Sequence, residues 1–308
     1  MNVILDCDPG HDDAIAIILA ASKISPLHIE AITTVAGNVG VEKNTLNTLK
    51  ICDIVGLKEV PVAQGSTRPM VKESEIAEEI HGESGLDGPN LPAVPQKEKI
   101  DQHAVDLIIE KLIGAKEPIT LVPTGPLTNI AMALVKEPNI KANIQEIVLM
   151  GGGTFGNWTP AAEFNIYVDA EAAKVVFESG VPIRMFGLDI THQVLATNET
   201  ITDLQQIKNP VAEFVAELLE FFIQAYKDHF DFDGGPIHDA CTVAHLMDPS
   251  IFTFEHVHVD IETKGEFTYG MTSVDLGGVT GKAPNVYVAT DLNQDKFWSL
   301  FKEAISAY

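Results

Sequence analysis

The chain is short of positive charge. Its 308 residues hold 20 lysines and arginines against 44 aspartates and glutamates, a formal net charge of −24. Only two of the basic residues are arginines, Arg68 and Arg184. A nucleic-acid backbone would be repelled, so no nucleic-acid partner is expected. A phosphorylated substrate is disfavoured for the same reason, and a neutral ligand or a cation suits the chain better. Cysteine is also scarce. Cys7, Cys52 and Cys241 are far apart, form no CxxC pair and give no disulfide framework, which fits a reducing cytoplasm. No run approaches the ~20 apolar residues that span a bilayer. Asp6 and Asp8 interrupt the first apolar stretch too early for a signal peptide. The chain is therefore expected to be cytoplasmic, with no membrane partner. Internal repeats, low-complexity tracts and long linkers are absent too.

What is present is a rhythm. Hydrophobic residues make up 45% of the chain, enough for a substantial core. Short apolar, β-branched runs (3–5, 29–35, 60–63, 119–122, 146–150, 182–186) alternate with helical patterns (14–21, 42–55, 103–113, 128–135, 170–179). The second half is more helical, with patterns at 201–207, 211–228, 237–247 and 295–306 and strands at 256–262 and 286–289. The alternation predicts an α/β fold: a mainly parallel, doubly wound sheet with helices on both faces. No composition break divides it, so residues 1–308 read as one domain.

In such sheets ligands bind beyond the carboxyl ends of the strands. Those ends are where the small and polar residues collect: DCDPGHDD after the first run, AGN after the second, PTGPLTN after Val122, and GGGTFGNWTPAAEFN after Met150. The opposite ends look like ordinary solvated loops. Asp6 and Asp8 alternate about Cys7 and point to one side. Asp12 and Asp13 begin a helix, where its dipole favours negative charge, and diverge by ~100°. One is suited to a cation and the other to a substrate hydroxyl. All-oxygen donors point to a hard cation, Ca²⁺ rather than Mg²⁺ because phosphate is not expected. A cation-activated water beside a carboxylate, with Asn and Glu side chains holding hydroxyls, describes hydrolysis at a sugar carbon through an oxocarbenium-like state.

DCDPGHDDAIAI strongly resembles the signature of the inosine–uridine-preferring nucleoside hydrolases. ITTVAGN, HGESG, LVPTGPLTNIA, IVLMGGG, AEFNIYVDAEAA, GLDITHQ and the HDA of PIHDA match further family stretches in order, from Val3 to about Phe301. The resemblance implies the nucleoside hydrolase fold, a tightly bound Ca²⁺, and cleavage of a ribonucleoside by water to ribose and free base in nucleoside salvage. It implies Asp8 as metal-bound general base, with Asp13, the Thr124 carbonyl and Asp239 as the other metal ligands. Asp12, Asn38 and Asn165 resemble the residues that hold the 2′- and 3′-hydroxyls, and Asn157 and Glu163 those that hold the 5′-hydroxyl. His238 stands at the position of the leaving base, and His81 matches a histidine of a mobile loop near it. Tyr226 and His229 line the base pocket on this reading, and Phe164 packs under the ribose. Phe222 stands where some relatives carry tyrosine. His11 reads as a turn residue, and Asp6 as a support for the first strand. A homodimer or homotetramer is implied.

Two other classes compete. A phosphatase with an aspartate nucleophile would need a phosphate-holding base, and the motif lacks the hydroxyl residue expected after its acidic pair. A non-catalytic, calcium-dependent nucleoside binder would not need Asp8 or His238. The base preference is open between a broad enzyme and a pyrimidine-preferring one.

Overall fold

The computed structural model describes all 308 residues. In its first half, strands and helices alternate as β1 (Asn2–Cys7), α1 (His11–Ala21), β2 (His28–Thr34), α2 (Val41–Val55) and β3 (Val62–Gln64). A short α3 (Glu78–His81) interrupts a long loop. Then come α4 (Ala104–Gly114), β4 (Ile119–Pro123), α5 (Thr128–Lys136), β5 (Ile144–Met150), α6 (Phe164–Val168), α7 (Ala170–Phe177) and β6 (Ile183–Phe186). The second half holds α8 (Leu188–Thr191), β7 (Leu195–Ala196), α9 (Asn198–Gln206), α10 (Pro210–Phe230), β8 (Gly235–Pro236) and α11 (Ala240–Met247). It closes with β9 (Phe252–Ile261), β10 (Thr272–Asp275), β11 (Val286–Leu292) and α12 (Gln294–Ser306).

Nine strands form one sheet in the order β10-β9-β11-β6-β5-β4-β1-β2-β3, and β7 and β8 form a separate antiparallel pair. From β3 through β11 every pairing is parallel, and only β9 runs against its neighbours. The chain starts in the middle of the sheet at β1, builds outward through β2 and β3, then crosses back to β4 on the other side. That reversal is the switch point at which open α/β sheets leave a crevice beyond their strand ends. No helix is long and apolar enough to cross a membrane.

Strand alternation divides β1 between two cores. Val3, Leu5 and Cys7 join a cluster of 48 buried residues with α1, α10, α11 and α12, while Ile4 joins one of 33 with α4, α5 and α7. Both faces of the sheet are thus covered, as a parallel sheet requires. Helix α1 is buried nearly all round, which explains why Ala14–Ala20 carry no polar side chain. Helix α2 ends on Gly56 at φ +78°, the left-handed C-terminal geometry that glycine adopts without strain.

The predicted strands and long helices are all present. Some ends differ by a few residues, as for β9, which starts at Phe252 rather than 256, and one boundary bears on the site. A helix over 237–247 would put His238 and Asp239 in its first turn, but α11 begins at Ala240 with Asp239 at its N-cap. The cause is tertiary. Gly235 and Pro236 pair with β7, and the Ile237 N–H donates to the Val194 carbonyl at 3.1 Å, so the chain reaches His238 extended. Asp239 makes no side-chain cap, which frees its carboxylate.

His245 on α11 tests how this core tolerates charge. It is buried among Phe186, Phe252 and Phe254, and its Nδ1 has no partner. Burial, helped by the Arg184 charge, lowers its pKa from 6.5 to about 4. Between those values the unfolded chain binds the extra proton, so stability falls as pH drops from 6.5 towards 4. Replacing His245 with Phe is expected to remove on the order of 2–3 kcal/mol of that acid destabilisation. Urea midpoints of the two proteins across that pH range measure it, and parallel slopes would refute it.

Candidate active site

Each strand end at the switch point delivers one part of the site. The Asp6 carboxylate lies within the sheet layer, where Oδ1 accepts from Thr33 Oγ1 at 2.6 Å and Asn129 Nδ2 at 2.8 Å. Burial raises its pKa to about 6. Asp6 is therefore a brace that ties β1 to β2 and α5, as the sequence suggested. One pleat further, Asp8 clears the strand. Its Oδ2 accepts the Asn38 N–H at 2.7 Å, while Oδ1 is buried with no partner. Asp13 sits at the start of α1, with Oδ1 accepting from Thr124 Oγ1 (2.7 Å) and Oδ2 from the Gly10 N–H (3.1 Å). The Asn38 amide reaches both acids, donating to the Asp8 carbonyl (3.0 Å) and to Asp13 Oδ2 (3.3 Å).

Asp239 joins them from the N-terminus of α11. Carboxylate oxygens of Asp12, Asp13 and Asp239 lie within 4.8 Å of one another, a separation one cation spans. Burial pushes all four acids up. Asp12 reaches about 8, and Asp8 and Asp239 are raised well above the ordinary carboxylate range, with mutual repulsion adding to the burial. Asp8 lies beside that group of three and is not one of it. Gly37 and Gly125 make room for it, since a Cβ at either position would overlap its carboxylate.

Above these acids opens a cavity of about 300 Å³. Of the residues singled out in the sequence, Asp12, Asn38, His81, Thr124, Asn157, Glu163, Phe164, Asn165, Tyr226, His238 and Asp239 all line it, and so does His229. Asp8 and Asp13 are fully buried behind that wall. No lysine or arginine faces the cavity. Nothing in it neutralises the acids, and nothing recognises phosphate.

One wall carries the loop after β5. Glu163 caps α6, with Oε1 accepting from the Asn165 N–H and Oε2 from the Ile166 and Gly152 N–H groups. Burial raises it to about 7. Asn165 Nδ2 donates to the Thr124 carbonyl at 2.7 Å. The amide hydrogens of Asn38 and Asn165 are thus committed to the protein, which leaves their side-chain oxygens for a ligand. Asn157 Oδ1 accepts from the Phe164 N–H, and Trp158 packs edge-on against the Phe164 ring.

The opposite wall is aromatic. Tyr226 Oη and His238 Nε2 are 2.9 Å apart, and His238 Nδ1 lies 2.7 Å from Thr191 Oγ1. Burial holds both His238 and His81 well below the ordinary imidazole range, so both rings are neutral in the free site. Sequence reasoning missed Thr191, which sits in a one-turn helix with no pattern of its own. Ile76, Ala77, Glu79, Ile80 and Phe230, which sequence reasoning did not name singly, complete this wall; they lie in the two segments, around 74–83 and 226–235, where the resemblance locates differences in base preference. The loop that carries the first four shows no periodicity. The reading of His11 as a turn residue is incomplete: it opens α1 and is fully buried.

An acid-floored cavity without lysine or arginine, at the switch point of a doubly wound sheet, is the crevice of an α/β protein suited to a neutral ligand or a cation. Comparison with known proteins gives the family. The family profile described as inosine-uridine preferring nucleoside hydrolase matches residues 3–299. Two curated relatives, from Shewanella woodyi and Photobacterium profundum, are each named pyrimidine-specific ribonucleoside hydrolase RihA. Each is 50% identical; the first alignment covers 99% of this chain and 98% of the relative, the second 99% of both. A purine-preferring ribonucleoside hydrolase from Gardnerella vaginalis has a TM-score of 0.92 at 34% identity, covering 99% of this chain and 98% of that one. A plant nucleoside hydrolase has a TM-score of 0.91 at 33% identity, covering 100% and 99%. The chain belongs to the inosine-uridine preferring nucleoside hydrolase family, and it hydrolyses the N-glycosidic bond of ribonucleosides.

The crowding of Asp8 by two glycines yields a direct test. Gly37→Ala is expected to displace the Asp8 carboxylate and to lower kcat/KM by about 100-fold or more, with the far-UV circular dichroism unchanged. A folded variant at wild-type activity would show that the position of Asp8 does not matter.

Proposed function

We propose that the enzyme is a calcium-dependent hydrolase that prefers pyrimidine ribonucleosides. The observation that carries the metal is the buried, unpartnered Asp8 Oδ1 in a cluster of acids with no basic counter-charge. Such a cluster is expensive without a cation, and its all-oxygen donors fit a hard one. Asp8, Asp13, Asp239 and the Thr124 carbonyl would hold Ca²⁺. When bound, it offsets the acids and makes water more acidic.

Asp8 takes the proton of the attacking water at Oδ1. The water oxygen bonds to the anomeric carbon as the carbon–nitrogen bond breaks, and the bonding pair leaves with the base. The surrounding carboxylates stabilise the positive charge that builds on the sugar. The side-chain oxygens of Asn38 and Asn165, with Asp12, accept from the 2′- and 3′-hydroxyls. Asn157 and Glu163 hold the 5′-hydroxyl, and Phe164 packs under the ribose. His81, Tyr226 and His238 face the base. Thr191 orients the His238 ring, and the His238–Tyr226 pair hydrogen-bonds the departing base, which takes its proton from solvent while Asp8 returns to solvent the one it took from the water.

The pyrimidine preference rests on the relatives named pyrimidine-specific, at 50% identity, against 34% for the purine-preferring neighbour. The same reading extends to one catalytic domain over residues 1–308, supported by the sheet that runs through the whole chain. It also includes a homodimer or homotetramer working in nucleoside salvage. The three buried free cysteines support a cytoplasmic setting.

Ribose release from uridine, cytidine, inosine, adenosine and guanosine, before and after chelation, tests this reading. Activity is expected to vanish on chelation, to return with Ca²⁺, and to be highest on the two pyrimidines. Full activity in the stripped protein would exclude the metal, and equal rates on all five would exclude the preference. Asp8→Ala is expected to fold and to lose several orders of magnitude in kcat. Near wild-type turnover would remove Asp8 from the chemistry.

A further inference from the structure

His11 is buried and does not line the cavity. It is the first residue of α1, the helix that also carries Asp12 and Asp13. The N-cap is Gly10, which has no side chain to accept the free N–H groups of the first turn. The His11 N–H finds its acceptor in His81 Nδ1, at 3.3 Å. From the same residue, ring Nε2 lies 2.8 Å from the Asp87 carbonyl. His11 therefore grips both ends of the loop that begins at His81 and closes at Asp87.

That loop is a compact unit. Asp87 donates its N–H to the His81 carbonyl, and its carboxylate accepts from the Glu83 and Ser84 N–H groups. The His11 ring lies nearly parallel to Phe221 and Phe222 of α10, with centroids 5.2 Å away in each case. It also stacks on His81 at 5.5 Å. Gly10 completes the seat, because a Cβ there would overlap the His81 ring at Nδ1.

Two backbone groups fix the hydrogens. A carbonyl only accepts, so His11 Nε2 carries hydrogen. A backbone N–H only donates, so His81 Nδ1 bears a lone pair, and the hydrogen of the neutral His81 ring is on Nε2. With the hydrogens so placed both Nδ1 atoms bear lone pairs, so their 3.2 Å approach is a contact without a hydrogen bond, held by the backbone N–H and the ring stacking. Nε2 has no protein partner, and His81 lines the cavity.

We infer that His11 is a positioning residue that pins the 81–87 loop to α1 and thereby presents the His81 Nε2–H as a donor to the leaving base. This rests on the reading above that His81 faces the base. A donor there helps a poor leaving group and does little for one that departs unaided. His11 thus couples the base side of the cavity to the helix that carries the sugar-side acids.

The test compares His11→Ala, His81→Ala and the double variant on uridine and on p-nitrophenyl β-D-ribofuranoside, whose leaving group needs no donor. His11→Ala is expected to lose about 30- to 100-fold in kcat/KM on uridine and less than about 3-fold on the nitrophenyl substrate. The double variant is expected to be no worse on uridine than His81→Ala alone. His11→Gln, whose amide N–H can still reach the Asp87 carbonyl, is expected to recover part of the loss. It also serves as the test if the alanine variant does not fold. Equal losses on both substrates, or additive losses in the double variant, would overturn the role of His11. If His81→Ala itself shows no substrate difference, the placement of His81 at the base fails instead. ¹⁵N spectra of the wild-type His81 ring provide an independent check, and hydrogen found on Nδ1 would refute the assignment.

Discussion

The structure turns on four aspartates buried against one another where the sheet reverses its winding. Burial raises the pKa of all four, and repulsion from neighbouring acids adds to it for Asp8, Asp12 and Asp239. Folding tolerates this because the backbone shares the load. The Asn38, Gly10 and Asp8 N–H groups bond to Asp8 and Asp13, and the Asn38 amide bridges the two. Helices α1 and α11 both begin at the cluster, so their positive ends face the negative charge. The remaining imbalance is what makes a cation the natural complement of the fold.

From that constraint the two sides of the cavity follow. The acid side is buried. It is built on strand ends and helix starts, with side-chain oxygens left over for hydroxyls once the amide hydrogens have been used internally. The opposite side is made of loops and of α10, where burial holds His81 and His238 well below the ordinary imidazole range. On the proposed reading one side gathers positive charge on a sugar and the other hydrogen-bonds a departing base. The scarcity of basic residues, visible across the whole chain, has its sharpest consequence here, because a single lysine in the cavity would compete with the cation.

Much of this was legible in the residues. The strand and helix rhythm predicts the doubly wound sheet because hydrophobic periodicity records which faces are covered. The grouping of Asp, Asn and Thr at strand ends predicts a shared site because a sheet leaves only one edge for it. The C-terminal boundary was less legible. Strand β10 and the β7–β8 pair are too short for a periodic signal, and the latter moves the start of α11 past His238. Nor could the chain order show that Asp239 would join Asp12 and Asp13 in one group of carboxylates while Asp8 stays outside it.

The sequence by itself determined the fold class, the acid-rich edge and, through its ordered motifs, the family, because these depend on local pattern and on residues that stay near their motifs. The tertiary structure alone decided which atoms remain free. It ties the amide of Asn38 to the Asp8 backbone carbonyl and the Asp13 carboxylate, joins His238 to Tyr226 and Thr191, and sets His11 between α1 and the His81 loop. Those choices depend on distances between segments far apart in the chain, and no periodicity carries that information.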